Sequence, residues 1–533
     1  MADMQAIRRR EKRAFARRDE WAPLIDDVYR YVLPYREGLT RFGRSTQSRG
    51  QARVDHLFDS TPTSTAIRFA GRMQNDITPP FVNFVQLEAG PLLQAEIDRK
   101  GLNEELAQAS KLVQGVLSGG AFEMASHEMY LDLFAGTGAM QVREGSDETL
   151  ADFVSTPAFE LGLEPGANNE ISGVFHERGY TSDELRETWP DARFSAELEK
   201  RLSDADQAEG KTIRVVQYTR AIPRAERSSK GARYRLTVYA GDISDDPPIF
   251  EEEYLSNPWT IARFLRVPGE VYGRGPGMFM LPSVRTLNKA RELALKQAAY
   301  ALLGLWVARD DGVFNPDTAT MAPGAILTVA NGPGPLGQVI KRLPMGDGFD
   351  VSMFVVDDER MQIKQAGFDN ALPPEAGAVR SPTEILERKE KLAQDYGGIY
   401  GRLVMEVVRP TVQRTLDLLG KRGFLEIPHL TLDQLVYRVV VRSPVAAAQQ
   451  ASAVRAYVEW LEILGLAIGQ ENLRFLPRVQ EAMIDIARNL QIDERLIPSL
   501  DEIQKMEQQL AALAQAQMQQ DQGDGPMMNG AGA

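Results

Sequence analysis

Side chains suited to catalysis or metal binding are scarce in this 533-residue chain, which has no cysteine and only four histidines. The lack of thiols excludes disulfides, zinc–thiolate centres and cysteine nucleophiles. His127 and His176, each followed by glutamate, begin like the HExxH zinc motif, but the residues four positions on are Leu131 and Tyr180. Since the second ligand is missing from both, we predict ordinary polar histidines, no metal site and no cofactor.

Two segments approach the pattern of a phosphate-binding loop without completing it. One has glycines at 269, 273, 275 and 277, but no lysine with serine or threonine follows them, and Pro276 lacks the amide that a phosphate would use. The other ends in Gly210-Lys211-Thr212, but Ala205 stands where the first glycine belongs, after a stretch that resembles an acidic helix. A DNA-translocating motor needs a phosphate loop, so we predict that the protein is not an enzyme.

Charge is distributed unevenly along the chain. The formal net charge of −13 argues against a protein that holds DNA tightly. Residues 1–53 nevertheless contain thirteen basic and seven acidic residues, a net charge of +6, so the remainder carries −19. In this basic arm, Trp21, Ile25, Val28 and Tyr29 follow the helical period until Pro34 ends it. We favour a helix with a solvated basic face packed on a core over direct DNA contact, which remains the alternative.

The chain has no segment typical of export or membrane insertion. No apolar core follows the charges that end at Arg18, as a secretory leader would require. The longest uncharged apolar stretch near a helix, residues 297–308, has twelve residues, fewer than the roughly 20 that span a bilayer. We expect a soluble protein with no membrane partner.

The first half of the chain changes from a helical to a strand-like pattern. A second helix is predicted to start at Thr61, acting as its cap, with Pro62 in the first turn, and a third to include residues 102–116. β-Branched runs at 213–218, 234–239 and 261–267 then predict an antiparallel meander. Ser283 is predicted to cap a long helix that continues to about residue 305.

Residues 306–348 differ from their surroundings in composition. They contain seven glycines and five prolines, and no charged residue lies between Thr318 and Ile340. Because disordered linkers are usually charged or polar, we predict a compact β module with a short strand at 325–330. A helix at about 351–368 follows, and then a loop at 371–379 that contains two prolines and a glycine.

The remainder is predicted to be helical. Ser381-Pro382-Thr383-Glu384 is a capping box that starts one helix, and another passes through Leu403 and Leu416 to Gly423. Helices are also expected over 445–520, where a second capping box begins at Ser499. It opens a helix in which eight of residues 504–522 are glutamine, before a Gly/Met-rich end that we expect to be disordered.

Five separated motifs resemble those of one known family. In chain order they are Phe58-Asp59-Ser60-Thr61 with Thr78-Pro79-Pro80; Leu133-Phe134-Ala135-Gly136-Thr137-Gly138-Ala139; Pro268-Gly269-Glu270-Val271-Tyr272-Gly273-Arg274-Gly275-Pro276 with Leu281-Pro282 and Leu287-Asn288; Thr383-Glu384-Ile385 with Arg402-Leu403, Glu406, Pro410 and Arg414; and Ile497-Pro498-Ser499. Together they resemble the head-to-tail connector, or portal, proteins of short-tailed bacteriophages. Pro382 departs from the small residue that is frequent there, which bears on the local loop conformation.

The resemblance implies an α+β, mainly helical portal fold assembled as a ring, usually of twelve subunits. The regions it implies are a wing (1–270), a stem helix (271–305), a clip (306–348), a second stem helix (349–370), a tunnel loop (371–382), wing return helices (383–445), a crown (446–498) and a Gln-rich helical barrel or tail (499–533). The site residues it implies are Pro373, Pro374, Glu375 and Arg380 in the tunnel loop, Ile326, Leu327 and Val329 on the clip partner surface, and Gly269, Glu270, Tyr272, Gly273 and Arg274 in the family motif.

The function implied is that of a channel at one capsid vertex through which double-stranded DNA is packaged and ejected. The partners implied are the terminase packaging motor, the tail adaptor protein, and the major capsid and scaffolding proteins. The protein would be in the virion, and in the host bacterial cytoplasm during assembly. The alternative is an internal virion or scaffolding protein without a DNA channel. For the tunnel loop, a valve against backward slippage of DNA and a simple surface turn both remain open.

Overall fold

A computed structural model describes residues 4–36, 54–80, 82–89, 99–145, 148–167, 170–206, 212–227, 231–243, 247–303, 306–310, 326–330, 340–342, 349–369, 398–425 and 437–441, with five single positions between 459 and 466. The chain divides into two compact units, Met1–Ala378 with Ile399–Val440, and Val379–Gly398 with Val441–Ala533. Nearly all described residues belong to the first unit. Its helices and sheets confirm the α+β class.

The N-terminal part is helical, as predicted. Its elements are α1 (Met4–Tyr31), α2 (Thr61–Ile77), strand β1 (Val85–Ala89), α3 (Arg99–Gly119) and α4 (Phe122–Phe134). The predicted apolar face of α1 is buried at Ile25, Val28 and Tyr29. The predicted cap of α2 is wrong. Thr61 is its first helical residue, and the Thr61 amide donates to Asp59 Oδ1, because the aspartate two residues upstream reaches this amide directly.

The next elements form two sheets. Strands β2 (Thr137–Glu144) and β3 (Ala151–Thr156) pair antiparallel. A five-stranded antiparallel sheet follows in the order β4-β5-β6-β7-β8, with β4 at Leu161–Pro165, β5 at Ile171–Tyr180, β6 at Ile213–Ala221, β7 at Tyr234–Ala240 and β8 at Phe250–Tyr254. This sheet is the predicted meander. The third predicted strand is misplaced, because β9 is Trp259–Arg263 and pairs with β2 instead of joining the meander.

Helices cover both faces of the meander. Helices α5 (Ser182–Thr188) and α6 (Ala196–Asp206) lie between β5 and β6 in sequence, and Leu185 and Leu198 pack with Val215 on one face. On the other face α1 packs through Phe15 against Val216 and its neighbours. Adjacent residues of a strand point to opposite faces, so β6 is buried between two helical layers.

Two long helices follow the sheets. Helix α7 (Pro276–Leu303) is about 42 Å long at ~1.5 Å per residue. The predicted start at Ser283 is wrong, because the helix already begins at Pro276, where the missing proline amide has no cost. Pro282 lies inside the helix, where it is exposed and removes one internal hydrogen bond.

The segment after α7 contains the predicted β module. Strand β10 (Trp306–Asp310) pairs parallel with β11 (Ile326–Ala330) and antiparallel with β12 (Ile340–Arg342). The strand predicted at 325–330 is therefore confirmed as β11. Helix α8 (Phe349–Ala366) then follows, which confirms the helix predicted at 351–368.

The last described elements return to the sheets. Residues 398–403 are helical, Val404–Val408 form one π-helical turn, and α9 (Arg409–Lys421) continues to the turn at Gly423, whose φ is +77°. This confirms the helix predicted to end there. Strand β13 (Tyr437–Val441) pairs with β1. The tunnel loop, both capping boxes at 381 and 499, and the glutamine tract lie outside the described residues.

Candidate functional site: the base of two long helices

Two glycine motifs that are far apart in sequence interlock at the start of α7. We call residues 134–138 and 272–277 the glycine junction. A Cβ at Gly273 would overlap the carbonyl oxygen of Gly136, and one at Gly275 would overlap that of Phe134. Gly136 has a φ of +124°, a conformation that disfavours every residue with a side chain. The glycines therefore allow two backbone segments to touch, and they do not form an open phosphate cradle.

Hydrogen bonds and an ion pair of the family motif stabilise this junction. Tyr272 is buried, and its hydroxyl donates to the Leu161 carbonyl at 2.7 Å, while the Gly273 amide donates to Thr137 Oγ1 at 2.8 Å. Glu270 and Arg274 form an ion pair at 2.6 Å. The hydrogen bond from the arginine lowers the pKa of Glu270, and burial raises that of Tyr272. The motif thus holds α7 to the sheets.

A second set of contacts, the helix clamp, joins the segment before α2 to both long helices. The Phe58 amide donates to Asn288 Oδ1 at 2.7 Å, and Asn288 Nδ2 donates to the His56 carbonyl at 2.8 Å. Asp59 accepts from Arg360 of α8 at 2.6 and 3.0 Å, with its side chain 3% exposed. Burial alone would raise the pKa of Asp59, but the hydrogen bonds from Thr61 and Arg360 outweigh it and lower that pKa.

The end of α8 is fixed against α2 and the residue that follows β9. The Asp369 amide donates to the Lys364 carbonyl, and a Cβ at Gly367 would overlap Thr65 of α2. Glycine is thus required at 367, and the left-handed position of the helix end falls on Phe368, with a φ of +58°. The Phe368 ring packs 5.7 Å from that of Phe264. Because this conformation disfavours a bulky residue, the surrounding contacts must hold it in place.

The fourth motif joins the same structure from the C-terminal side. Glu406 accepts from the Arg263 guanidinium at 2.7 Å and from its amide at 2.9 Å. Arg402 donates to the Phe264 carbonyl at 2.7 Å, and Arg414 lies over the Tyr254 ring at 4.5 Å. Burial lowers the pKa of both Arg402 and Arg414. The π-helical turn and α9 are therefore tied to the strands next to the glycine junction.

The near-miss catalytic motifs have structural roles. His176 is buried, and Glu160 lies 3.0 Å from its Nε2, while Gln74 lies 3.2 Å from His127 Nδ1. Burial lowers the pKa of His176. Ala205 lies in α6, a helix where a phosphate loop would need a strand. Among the described residues no group of three acids or histidines is arranged to hold a metal ion, and no helix of that part has the length and apolarity of a membrane span.

The predicted site residues divide into three groups. Gly269, Glu270, Tyr272, Gly273 and Arg274 lie together at the start of α7. Ile326, Leu327 and Val329 lie on β11, opposite Trp306, Val307 and Arg309 of β10. The tunnel-loop residues Pro373, Pro374, Glu375 and Arg380 lie outside the described residues.

Three residues of these contacts were not identified from the sequence: Arg360, Arg263 and Phe368. Arg360 follows three acidic residues, Asp357 to Glu359. A single cation after a run of acids is the sequence pattern that could have indicated an ion pair at this position. Arg263 is the last residue of the mainly apolar strand β9. No local pattern marks Phe368, because its conformation is imposed by a neighbouring helix.

Comparison with known proteins agrees with the motifs. Residues 4–497 match the family described as "Bacteriophage head to tail connecting protein". The chain is 23% identical over 465 residues to the "Probable portal protein" of Bordetella phage BPP-1, covering 85% of this chain and 81% of that protein.

Two solved structures align with much of the chain at low similarity. They are a chain in the "Virion of native gene transfer agent (GTA) particle" at 10% identity and one in the "Neck of empty GTA particle computed with C6 symmetry" at 11%. Each alignment covers 76% of this chain and 87% of the chain in the solved structure, with a TM-score of 0.34.

Proposed function

Because the chain belongs to the family of bacteriophage head-to-tail connecting proteins, we propose that it forms the portal of a phage particle. Copies of the chain assemble into a ring at one capsid vertex, and double-stranded DNA passes through the ring during packaging and ejection. The observation that carries this proposal is the family match over residues 4–497. The family is structural, so no reaction is assigned to the chain.

The described contacts support a subunit built around two anchored helices. Ser283 of α7 donates to Gln362 of α8, and Met280 approaches Gly367, so the beginning of α7 lies beside the end of α8. The two helices are therefore antiparallel, and the β10–β12 module connects their far ends. We assign α7 and α8 to the stem and the module to the clip. The glycine junction and the helix clamp then transmit force from the stem to the rest of the subunit.

The other regions keep the boundaries expected from the resemblance. Residues 1–270 and 383–445 form the wing, 371–382 the tunnel loop, 446–498 the crown, and 499–533 the Gln-rich barrel or tail. The ring has twelve subunits in this proposal, and the terminase motor, the tail adaptor, and the capsid and scaffolding proteins bind to it. The protein works in the virion after assembly in the host cytoplasm.

Net charge supports a channel that does not retain its cargo. Each phosphate contact made by lysine or arginine adds affinity through counterion release. The chain carries −13 in total, and −19 beyond residue 53. An acidic channel wall would repel the duplex and keep it centred, so that it slides with little friction.

The clip is proposed to bind partners through β11. Ile326, Leu327 and Val329 lie on a strand within an uncharged segment, and apolar surface on a charged assembly is typical of an interface. Leu327→Glu should weaken ring formation or adaptor binding, as measured by size-exclusion chromatography and pull-down with the adaptor. If both remain intact, β11 is not a partner surface.

The tunnel loop is proposed to act as a valve against backward slippage of packaged DNA. In this proposal Glu375 and Arg380 face the channel. Deletion of residues 373–379 should leave rings intact but reduce the fraction of heads that retain DNA, as measured by nuclease protection. Unchanged retention would make the segment a surface turn.

The proposed function is tested directly in a phage that encodes the chain. Deletion of its gene should yield capsids without packaged DNA, and expression of the chain from a plasmid should restore filled heads. If heads of the deletion strain still fill with DNA and the particles differ from wild type only in their other protein components, the portal assignment is wrong. The chain is then an internal virion protein.

A further inference from the structure

One face of α1 carries a row of cations that the fold does not use. Arg9, Lys12, Arg13 and Arg17 are all exposed, and at about 100° per residue they lie within one sector of the helix, along about 12 Å of its axis. We call them the basic stripe. Among the neighbouring acids of α1, Glu11 points inward and pairs with Arg214, and Asp19 pairs with Arg18. The exposed Glu20 lies beyond the Arg17 end of the stripe.

The stripe is free to bind an anion. In the described part of the chain, Arg9 and Arg13 donate only to the carbonyls of Gln5 and Arg9 on their own helix, at 3.4 and 3.3 Å. Neither these two nor Lys12 and Arg17 form an ion pair there. The neighbouring arginines behave differently, since Arg8 donates to three meander carbonyls and Arg18 pairs with buried Glu177.

The same inward arginines make α1 a rigid platform. Arg8 binds the carbonyls of Ala240, Gly241 and Ile243, and Ile7 and Phe15 are buried against the meander. The backbone that carries the stripe is therefore already ordered, so binding requires little further loss of chain entropy. An open groove runs along one side of it, lined by four cations, Arg8, Arg9, Lys12 and Arg214, and by two acids, Glu11 and Asp19.

The composition of the stripe favours a phosphate backbone over a protein surface. Protein interfaces have an apolar centre with aromatic anchors, but among the described residues no exposed large hydrophobic side chain lies on α1. Phosphate contacts need only charge and hydrogen-bond donors, and three of the four cations are arginine, whose planar guanidinium matches phosphate oxygens. We infer that the basic stripe binds the backbone of double-stranded DNA without sequence preference, a contact additional to the passage of DNA proposed above.

The test compares two quadruple variants of the full-length protein. R9Q/K12Q/R13Q/R17Q removes the stripe, and R186Q/R193Q/K200Q/R201Q removes four exposed cations elsewhere, so the net charge changes equally. Binding of a labelled 30-base-pair duplex is measured by fluorescence anisotropy between 50 and 200 mM KCl. Light scattering and thermal unfolding establish that the three proteins have the same assembly state and stability.

Loss of the stripe should flatten the salt dependence of binding. Each phosphate contact contributes about 0.9 to the slope of log affinity against log salt. Loss of four contacts therefore lowers the ratio of the affinity at 50 mM KCl to that at 200 mM KCl by up to about 150-fold, while the control variant keeps the wild-type slope. Equal slopes for all three proteins would overturn the inference. A competition experiment gives a second test: if poly-L-glutamate displaces the labelled duplex as effectively as unlabelled DNA at equal charge, the inference is also wrong. A ring that fails this test remains a portal, because the stripe is independent of the proposed function.

Discussion

Removal of Arg360 tests whether the helix clamp holds the second long helix in place. Arg360→Ala leaves the Asp59 carboxylate with the Thr61 amide but without its two bonds from the guanidinium, at 2.6 and 3.0 Å. Asp59 is 3% exposed and Arg360 31% exposed. The pair thus lies between a surface ion pair, which contributes up to ~1 kcal/mol, and a buried one, which costs 3–5 kcal/mol to break. We expect a local destabilisation of about 2 kcal/mol.

Hydrogen exchange of α8 measures this loss without requiring the whole protein to unfold. About 2 kcal/mol corresponds to a roughly 30-fold faster exchange of amides that open locally. The amides at 356–366 should accelerate by this factor, while those of β5 to β7 should not change. The matched control is Arg285→Ala, which breaks the exposed 2.6 Å pair between Arg285 of α7 and Asp27 of α1. It should change exchange severalfold at most.

The effect of Arg360→Ala should also depend on pH with a defined sign. The folded state lowers the pKa of Asp59 below its ordinary value of 3.8. A lowered pKa contributes stability that is present above the unfolded value and is lost as pH falls through the folded value. The difference between wild type and variant should therefore be constant near neutral pH and shrink below about pH 4. If Arg360→Ala accelerates the exchange of α8 amides no more than Arg285→Ala does, at any pH, the helix clamp is refuted.

Two further predictions concern the neighbouring contacts. Gly273→Ala should prevent assembly of the glycine junction, since its methyl group meets the Gly136 carbonyl and Arg263, and soluble yield and melting temperature should both fall. The control Gly115→Ala, in open space on α3, should be neutral or stabilise by up to ~1 kcal/mol; equal losses would contradict the packing argument. Glu406→Gln weakens the pair with buried Arg263 and should cost about 3 kcal/mol, visible as a lower melting temperature; an unchanged melting temperature would show that the pair contributes nothing.

Sequence periodicity predicted the elements better than their connections. The apolar face of α1, the meander and strand β11 follow from local patterns, and each of them is present. The position of β9 beside β2 could not be inferred, because both sheets use the same type of strand and the difference lies in long-range pairing. The start of α7 is predicted seven residues too late because proline is disfavoured inside a helix, yet the helix begins at Pro276 and contains Pro282.

Buried charges were the hardest part to predict. The arm was expected to be a solvated basic face, yet Arg8 and Arg18 lie on the inward face with Ile7 and Phe15, at helical spacing. That spacing was visible in the sequence, but an arginine at a core-facing position is usually interpreted as surface. The glycine motifs were recognised as separate family features. Only the structure shows that Gly136 and Gly273 are required by each other.

Imaging of the purified protein tests the central claim most directly. If the chain is a portal, negative-stain micrographs should show closed rings with a central hole wide enough for a DNA duplex, and class averages should show one rotational symmetry. Arg360→Ala should retain these rings, because the clamp acts within each subunit. Monomers, or open and extended oligomers without a hole, would contradict the assignment and favour the alternative of an internal virion or scaffolding protein.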